Sequence, residues 1–107
     1  MPRIMIRVRG NDRYRGKKGD KYNGETLVDV LLKLFREKKV SGATVFRGVH
    51  GYGARGIATM KVLGLSLDLP VLIETVDESS KLEPLLPEIK RIVGDNGLIT
   101  LEDIDVI

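Results

Sequence analysis

The apolar residues of this chain change their period in a fixed order, from two to 3.6 and back, and they do so twice. Ile4, Ile6 and Val8 alternate with Met5, Arg7 and Arg9, the period-two pattern of a strand. Gly10 to Gly24 is rich in Gly, Asn, Asp and Lys and reads as a long polar loop. Leu27, Val30, Leu31, Leu34 and Phe35 then fall on one helical stripe. Asn23 is placed to cap that helix, with its start near Glu25, and Lys38 and Lys39 suit its C-terminal dipole. Ala43 to Val49 reads as a second strand, Ile57 to Leu65 as a short strand or excursion closed by Pro70, and Val71 to Val76 as a third strand. Ser80 and Glu83 have capping-box spacing ahead of a second stripe, Leu82, Leu85, Leu86, Ile89, Ile92 and Val93. Pro84 and Pro87 predict an irregular first turn there. After the turn Gly94–Gly97, Leu98 to Val106 reads as the last strand.

The order β-α-β, excursion, β-α-β predicts an α+β, ferredoxin-like antiparallel sheet with both helices on one face. A chain of 107 residues is one domain, residues 1–107, and buries enough surface to hold a core. Neither cysteine nor a long apolar run is present. Disulfides and thiolate zinc are therefore excluded, no membrane insertion is expected, and a cytoplasmic protein is the expectation.

Both parities of the strands carry apolar residues. Ile4, Ile6, Val8, Val45, Val49, Val71 and Ile73 share one parity; Met5, Phe46, Leu72 and Val76, with Ile99 or Leu101, share the other. Two helices cover one face only, so the other is expected to be covered by further copies of the chain. A bulge near Gly48 would scramble this parity, and parity does not distinguish a dimer from a trimer.

Charge is uneven. Residues 1–21 hold eight Lys/Arg against two Asp/Glu, while the whole chain carries only +3. Arg7, Arg9, Arg13, Arg15, Lys17 and Lys18 could contact phosphates, which makes nucleic-acid binding the alternative reading. The chain lacks a recognition-helix or RNA-recognition motif, so nucleic acid is not the favoured partner.

The stretch Gly42 to Gly56 holds the densest chemistry. Gly51, Gly53 and Gly56 allow tight turns whose N–H groups can form an anion nest. Arg47 and Arg55 add guanidinium groups for phosphate or carboxylate, and Tyr52 could stack on a base. The spacing is neither a Walker loop nor a dinucleotide fingerprint, since no Gly-Lys-Ser/Thr and no helix pattern follow. His50 is the only histidine, so no multi-histidine metal site exists. No nucleophile–base pair stands out, and the chain reads as a non-enzyme. Ser79 and Ser80 read as helix caps. Glu74, Asp77 and Glu78 read as capping or surface carboxylates.

The block Gly42–Gly53 resembles the second-strand motif of the PII-like signalling superfamily. The whole chain resembles an uncharacterised family of small bacterial and archaeal PII-like proteins. The resemblance rests on Asp12-Arg13-Tyr14 with Gly16-Lys17, on Arg47-Gly48 within that block, on Asp68 to Glu74, and on Gly97 to Glu102. It implies a homotrimer with sheets facing inward. It also implies a small anionic ligand, with ATP, ADP or AMP as candidates, in clefts between subunits. A flexible loop from Gly51 to about Leu69 would act on a protein partner. The family's glycine-rich strand end carries over to Gly51, Gly53 and Arg55, and its second glycine-rich turn to Gly94–Gly97. PII proteins place a lysine after that turn, where Leu98 stands here, and their basic C-terminal segment has no match before Ile107.

Overall fold

The fold was taken from a computed structural model that describes residues 1–53, 56–59 and 68–107, with the backbone alone for 57–59. Strand β1 (Pro2–Arg9) is followed by helix α1 (Leu27–Glu37), then β2 (Thr44–Arg47), β3 (His50–Gly53), β4 (Gly56–Thr59) and β5 (Pro70–Val76). Helix α2 (Ser79–Leu82) runs through a 3₁₀ turn into α3 (Leu86–Val93), and a second 3₁₀ turn, Gly94–Asn96, leads to β6 (Leu98–Asp103). The main sheet has the order β2-β5-β1-β6 and is antiparallel throughout. This is the ferredoxin-like α+β fold expected from the alternation. The excursion is a separate hairpin, β3 against β4.

The core lies between the sheet and the helices. Ile4, Ile6, Leu27, Leu31, Ile73, Leu82 and Ile89 are wholly buried, and each contributes about 1.5–3 kcal/mol. Tyr14, from the polar N-terminal loop, joins this cluster. Thr75 takes a core position because its hydroxyl donates to the Gly42 carbonyl at 2.6 Å. The two prolines shape the second helical segment as expected: Pro84 lies in the 3₁₀ turn and Pro87 in the first turn of α3.

Several local expectations change. Helix α1 begins at Leu27, capped by Thr26, whose hydroxyl accepts from the Asp29 N–H. Asn23 instead closes the preceding loop, its side chain bonding the Gly16 N–H and the Lys17 carbonyl. Ser79 starts α2 behind Glu78, and no side chain caps it, so neither serine is a cap and the capping box does not form. Strand β2 ends at Arg47: Gly48 still donates to the Pro70 carbonyl at 2.7 Å, but proline has no N–H to return the bond, and Val49 beyond it is exposed rather than inward. Strand β6 ends at Asp103, short of Val106.

Both faces of the sheet carry apolar residues, with one exchange. Ile99 and Leu101 pair with Ile6 and Ile4 and so share the helix side of the sheet. Leu98 takes their place on the second face. There one row runs Phe46, Leu72, Arg7, Leu98, and the next runs Thr44, Glu74, Met5, Thr100. Phe46 is 49% and Leu98 57% exposed. Arg3, on the same face, pairs with Glu74 and Glu102.

Candidate ligand-binding cleft

The two glycine-rich turns, far apart in sequence, meet at one end of the sheet. Antiparallel pairing places the end of β1 beside both the start of β5 and the start of β6. The hairpin folds over the first and the Gly94–Asn96 turn over the second. Between them lies a cleft of about 580 Å³, lined by Arg7, Arg9, Tyr52, Pro70, Asp95 and Asn96 among others. That volume suits a metabolite-sized ligand.

Three close approaches shape the cleft. Added Cβ atoms at Gly48 and Gly51 would stand 3.3 and 3.2 Å from the Pro70 ring, so both glycines let the hairpin root lie on that proline. Gly97 lies against the backbone of β1, where a Cβ would collide with the Arg7 carbonyl. Gly94 has φ +57 and ψ −135, a backbone conformation that glycine adopts without strain and that lets the chain leave α3 toward β6.

Arg9 fastens the hairpin. Its guanidinium donates to Asp68 Oδ2 at 3.1 Å and to the Gly56 carbonyl at 2.8 Å, while its own N–H donates to Asp12 Oδ2 at 2.7 Å. Tyr52 projects from β3 at 88% exposure. The lining therefore offers arginine charge, backbone at glycine turns, an aromatic face and a carboxylate on Asp95. This set can hold an anionic group at one end and accept hydrogen bonds from hydroxyls or amines at the other.

The expected site residues divide. Gly51, Tyr52 and Gly53 line the cleft. Gly56 closes the hairpin opposite Gly53 and gives its carbonyl to Arg9. Arg47 is exposed at the end of β2, opposite Val71, and is not among the lining residues. Arg55 and most of the expected loop, residues 60–67, lie outside the described residues. The described part, Gly51–Gly53 and Gly56–Thr59, is a paired hairpin rather than an irregular loop. Arg7 and Arg9 stood out in the sequence only as part of a basic segment, of which Arg13 turns back to the Gly24 carbonyl. Only the pairing of β1 with β5 and β6 brings Arg7 and Arg9 to the glycines.

A second cavity, about 280 Å³, lies between the N-terminal loop and the helices. Its polar groups are engaged with one another. The Tyr14 hydroxyl donates to Asp20 and accepts from Arg91, Arg91 pairs with Glu88, and the Tyr22 hydroxyl donates to Glu37. The Tyr22 N–H and the Tyr14 hydroxyl hold Asp20 below the usual carboxylate range, and Arg91 does the same to Glu88. Such mutual satisfaction is what a structural network requires.

The model of the DUF190 family, described as an uncharacterized ACR, matches residues 3–106. The chain belongs to the DUF190 family. A UPF0166 protein of Methanocaldococcus jannaschii is 39% identical to this DUF190 chain over 90 residues, covering 84% of it and 83% of the relative. A UPF0166 protein of Aquifex aeolicus is 42% identical over 89 residues, covering 82% and 83%. Among solved structures, CPII from Thiomonas intermedia K12 superposes with a TM-score of 0.69 at 18% identity, over 98% of the DUF190 chain and 86% of its own. That protein is a nitrogen regulatory PII-like protein bound to ADP, AMP and bicarbonate. A second CPII structure, bound to ADP and bicarbonate, gives 0.61 at 17% identity, over 99% and 89%. At these identities the likeness establishes that the DUF190 fold is PII-like.

Proposed function

We propose that this protein is a PII-like ligand sensor that binds a small anionic metabolite, an adenine nucleotide first among candidates, in the cleft between the β3–β4 hairpin and the Gly94–Gly97 turn. The observation that carries this reading is the convergence of the two glycine-rich turns on Arg7 and Arg9. Phosphate would meet guanidinium and backbone N–H groups. The base would stack on Tyr52, and ribose hydroxyls or the adenine amine could donate to Asp95. The nucleotides bound by CPII, which shares the fold, support the choice of ligand class.

The assembly is a homotrimer with its open sheet faces turned inward. Phe46, Leu72 and Leu98 on that face leave apolar surface that a second copy would bury. Because Arg7 and Leu98 belong to both the face and the cleft, each cleft would lie at a subunit boundary. The hairpin, held by Arg9 through the Gly56 carbonyl, is the element a protein partner would read. The lining supplies charge and hydrogen bonds for binding rather than for a chemical step. Among the described residues no three His, Cys, Asp or Glu side chains converge as a metal set.

Calorimetric titration with ATP, ADP and AMP, with solution mass by light scattering, tests the reading. Saturable binding of one nucleotide by a particle of three chains is the expected result. No heat with any of them, or a monomer at high concentration, would contradict it.

A further inference from the structure

We infer that Arg7 is the residue that grips the ligand's anionic group, and that through this side chain self-association depends on the ligand. The inference rests on the ligand-sensor reading and names the contact that gives it selectivity for phosphate-bearing ligands.

Two arginines line the cleft among the described residues, and they are not equivalent. The Arg9 side chain is 18% exposed and committed to Asp68 and the Gly56 carbonyl. The Arg7 side chain is exposed and makes no hydrogen bond or ion pair with another described residue. Asp95 lines the same cleft, but no ion pair joins it to Arg7. The acids on the sheet face, Glu74 and Glu102, are held by Arg3.

Arg7 also occupies an unusual row. It lies between Leu72 on β5 and Leu98 on β6, with Phe46 beyond Leu72. If a second copy covers this row, the guanidinium loses water while flanked by apolar side chains. An unpaired charge in such a place opposes association. A phosphate in the cleft reaches the same guanidinium, replaces the lost water with charge-assisted hydrogen bonds, and removes the penalty. Leu98, directly across the strand pair, adds no competing charge. The anion is thus the counter-ion that the interface lacks.

The test compares wild type with Arg7→Gln, Arg7→Lys and Arg7→Leu, using ADP and pyrophosphate as probes. Circular dichroism establishes that each variant is folded. Arg7→Gln is expected to weaken binding of both probes by about ten- to hundred-fold, and Arg7→Lys to retain most of the affinity. In sedimentation, ADP should tighten wild-type association. Arg7→Leu should associate more tightly than wild type without ADP and gain nothing from it. Arg7→Gln binding ADP as well as wild type would overturn the inference while leaving the sensor reading intact. Wild type failing to bind either probe would overturn that reading, and the inference with it.

Discussion

Gly97 lies so close to β1 that a Cβ there would overlap the carbonyl oxygen of Arg7 and stand 2.8 Å from Val8 Cγ1 and 3.1 Å from Val93 Cγ1. The contact fixes the height of the Gly94–Gly97 turn above the strand that carries both cleft arginines. Gly97→Ala must therefore move backbone, since the first obstacle is not a flexible side chain. The expected cost is about 1–3 kcal/mol, read as a lower urea midpoint with an unchanged slope. Ligand affinity should fall with it, because the turn lifts away from Arg7.

Arg9 is expected to act on the hairpin more than on the fold. Arg9→Gln removes the donors to Asp68 and the Gly56 carbonyl. Hydrogen exchange at Gly51–Gly53 should then accelerate, while amides of Ile4, Ile6 and Ile73 in the central strands stay protected. Equal acceleration in both regions would mean that Arg9 supports the whole sheet.

Tyr14 joins loop to helix through its hydroxyl, which donates to Asp20 at 2.8 Å and accepts from Arg91 at 2.7 Å. Tyr14→Phe keeps the ring in the core and loses both bonds. A destabilisation of about 1–2 kcal/mol is expected. The Asp20 carboxyl should rise toward its ordinary 3.8, since one of the bonds that lowers it is gone. Carbon-detected titration of Asp20 in the two proteins measures this.

Acid sensitivity should centre on Asp77. Its carboxylate accepts from the Ser41 N–H and hydroxyl and from the Glu78 N–H, and these bonds hold its pKa below the ordinary 3.8. A group depressed in the folded state binds fewer protons there than in the unfolded chain. Its stabilisation is complete above the unfolded value and is lost as pH falls from about 4 through the folded value. Glu88, lowered by Arg91, acts in the same direction. Asp77→Asn should lower stability at neutral pH and flatten the acid limb of the stability–pH curve. A variant as acid-sensitive as wild type would show that other carboxylates dominate.

Sequence periodicity carried the fold far. The stripes Leu27–Phe35 and Leu82–Val93 and the alternation of Ile4, Ile6 and Val8 each report a buried face directly, and every member of the two stripes is buried except Leu86, which is partly buried. Caps were less legible, because Asn23 and Thr26 are both competent and only loop geometry decides between them. Half of the cleft was legible in Gly51, Tyr52 and Gly53. The other half depends on strand order. Arg7 meets Leu98, and Gly97 meets Arg7, through a pairing between the two ends of the chain that no local pattern encodes.

A small anionic ligand is proposed to sit between the hairpin and the Gly94–Gly97 turn. Titration of isotope-labelled protein with ADP, followed amide by amide, tests it most directly. Saturable shifts largest at Gly51, Gly53, Asn96 and Gly97 are expected. Shifts that centre instead on Asp20, Tyr22 and Arg91, or none at saturating ADP, would contradict it.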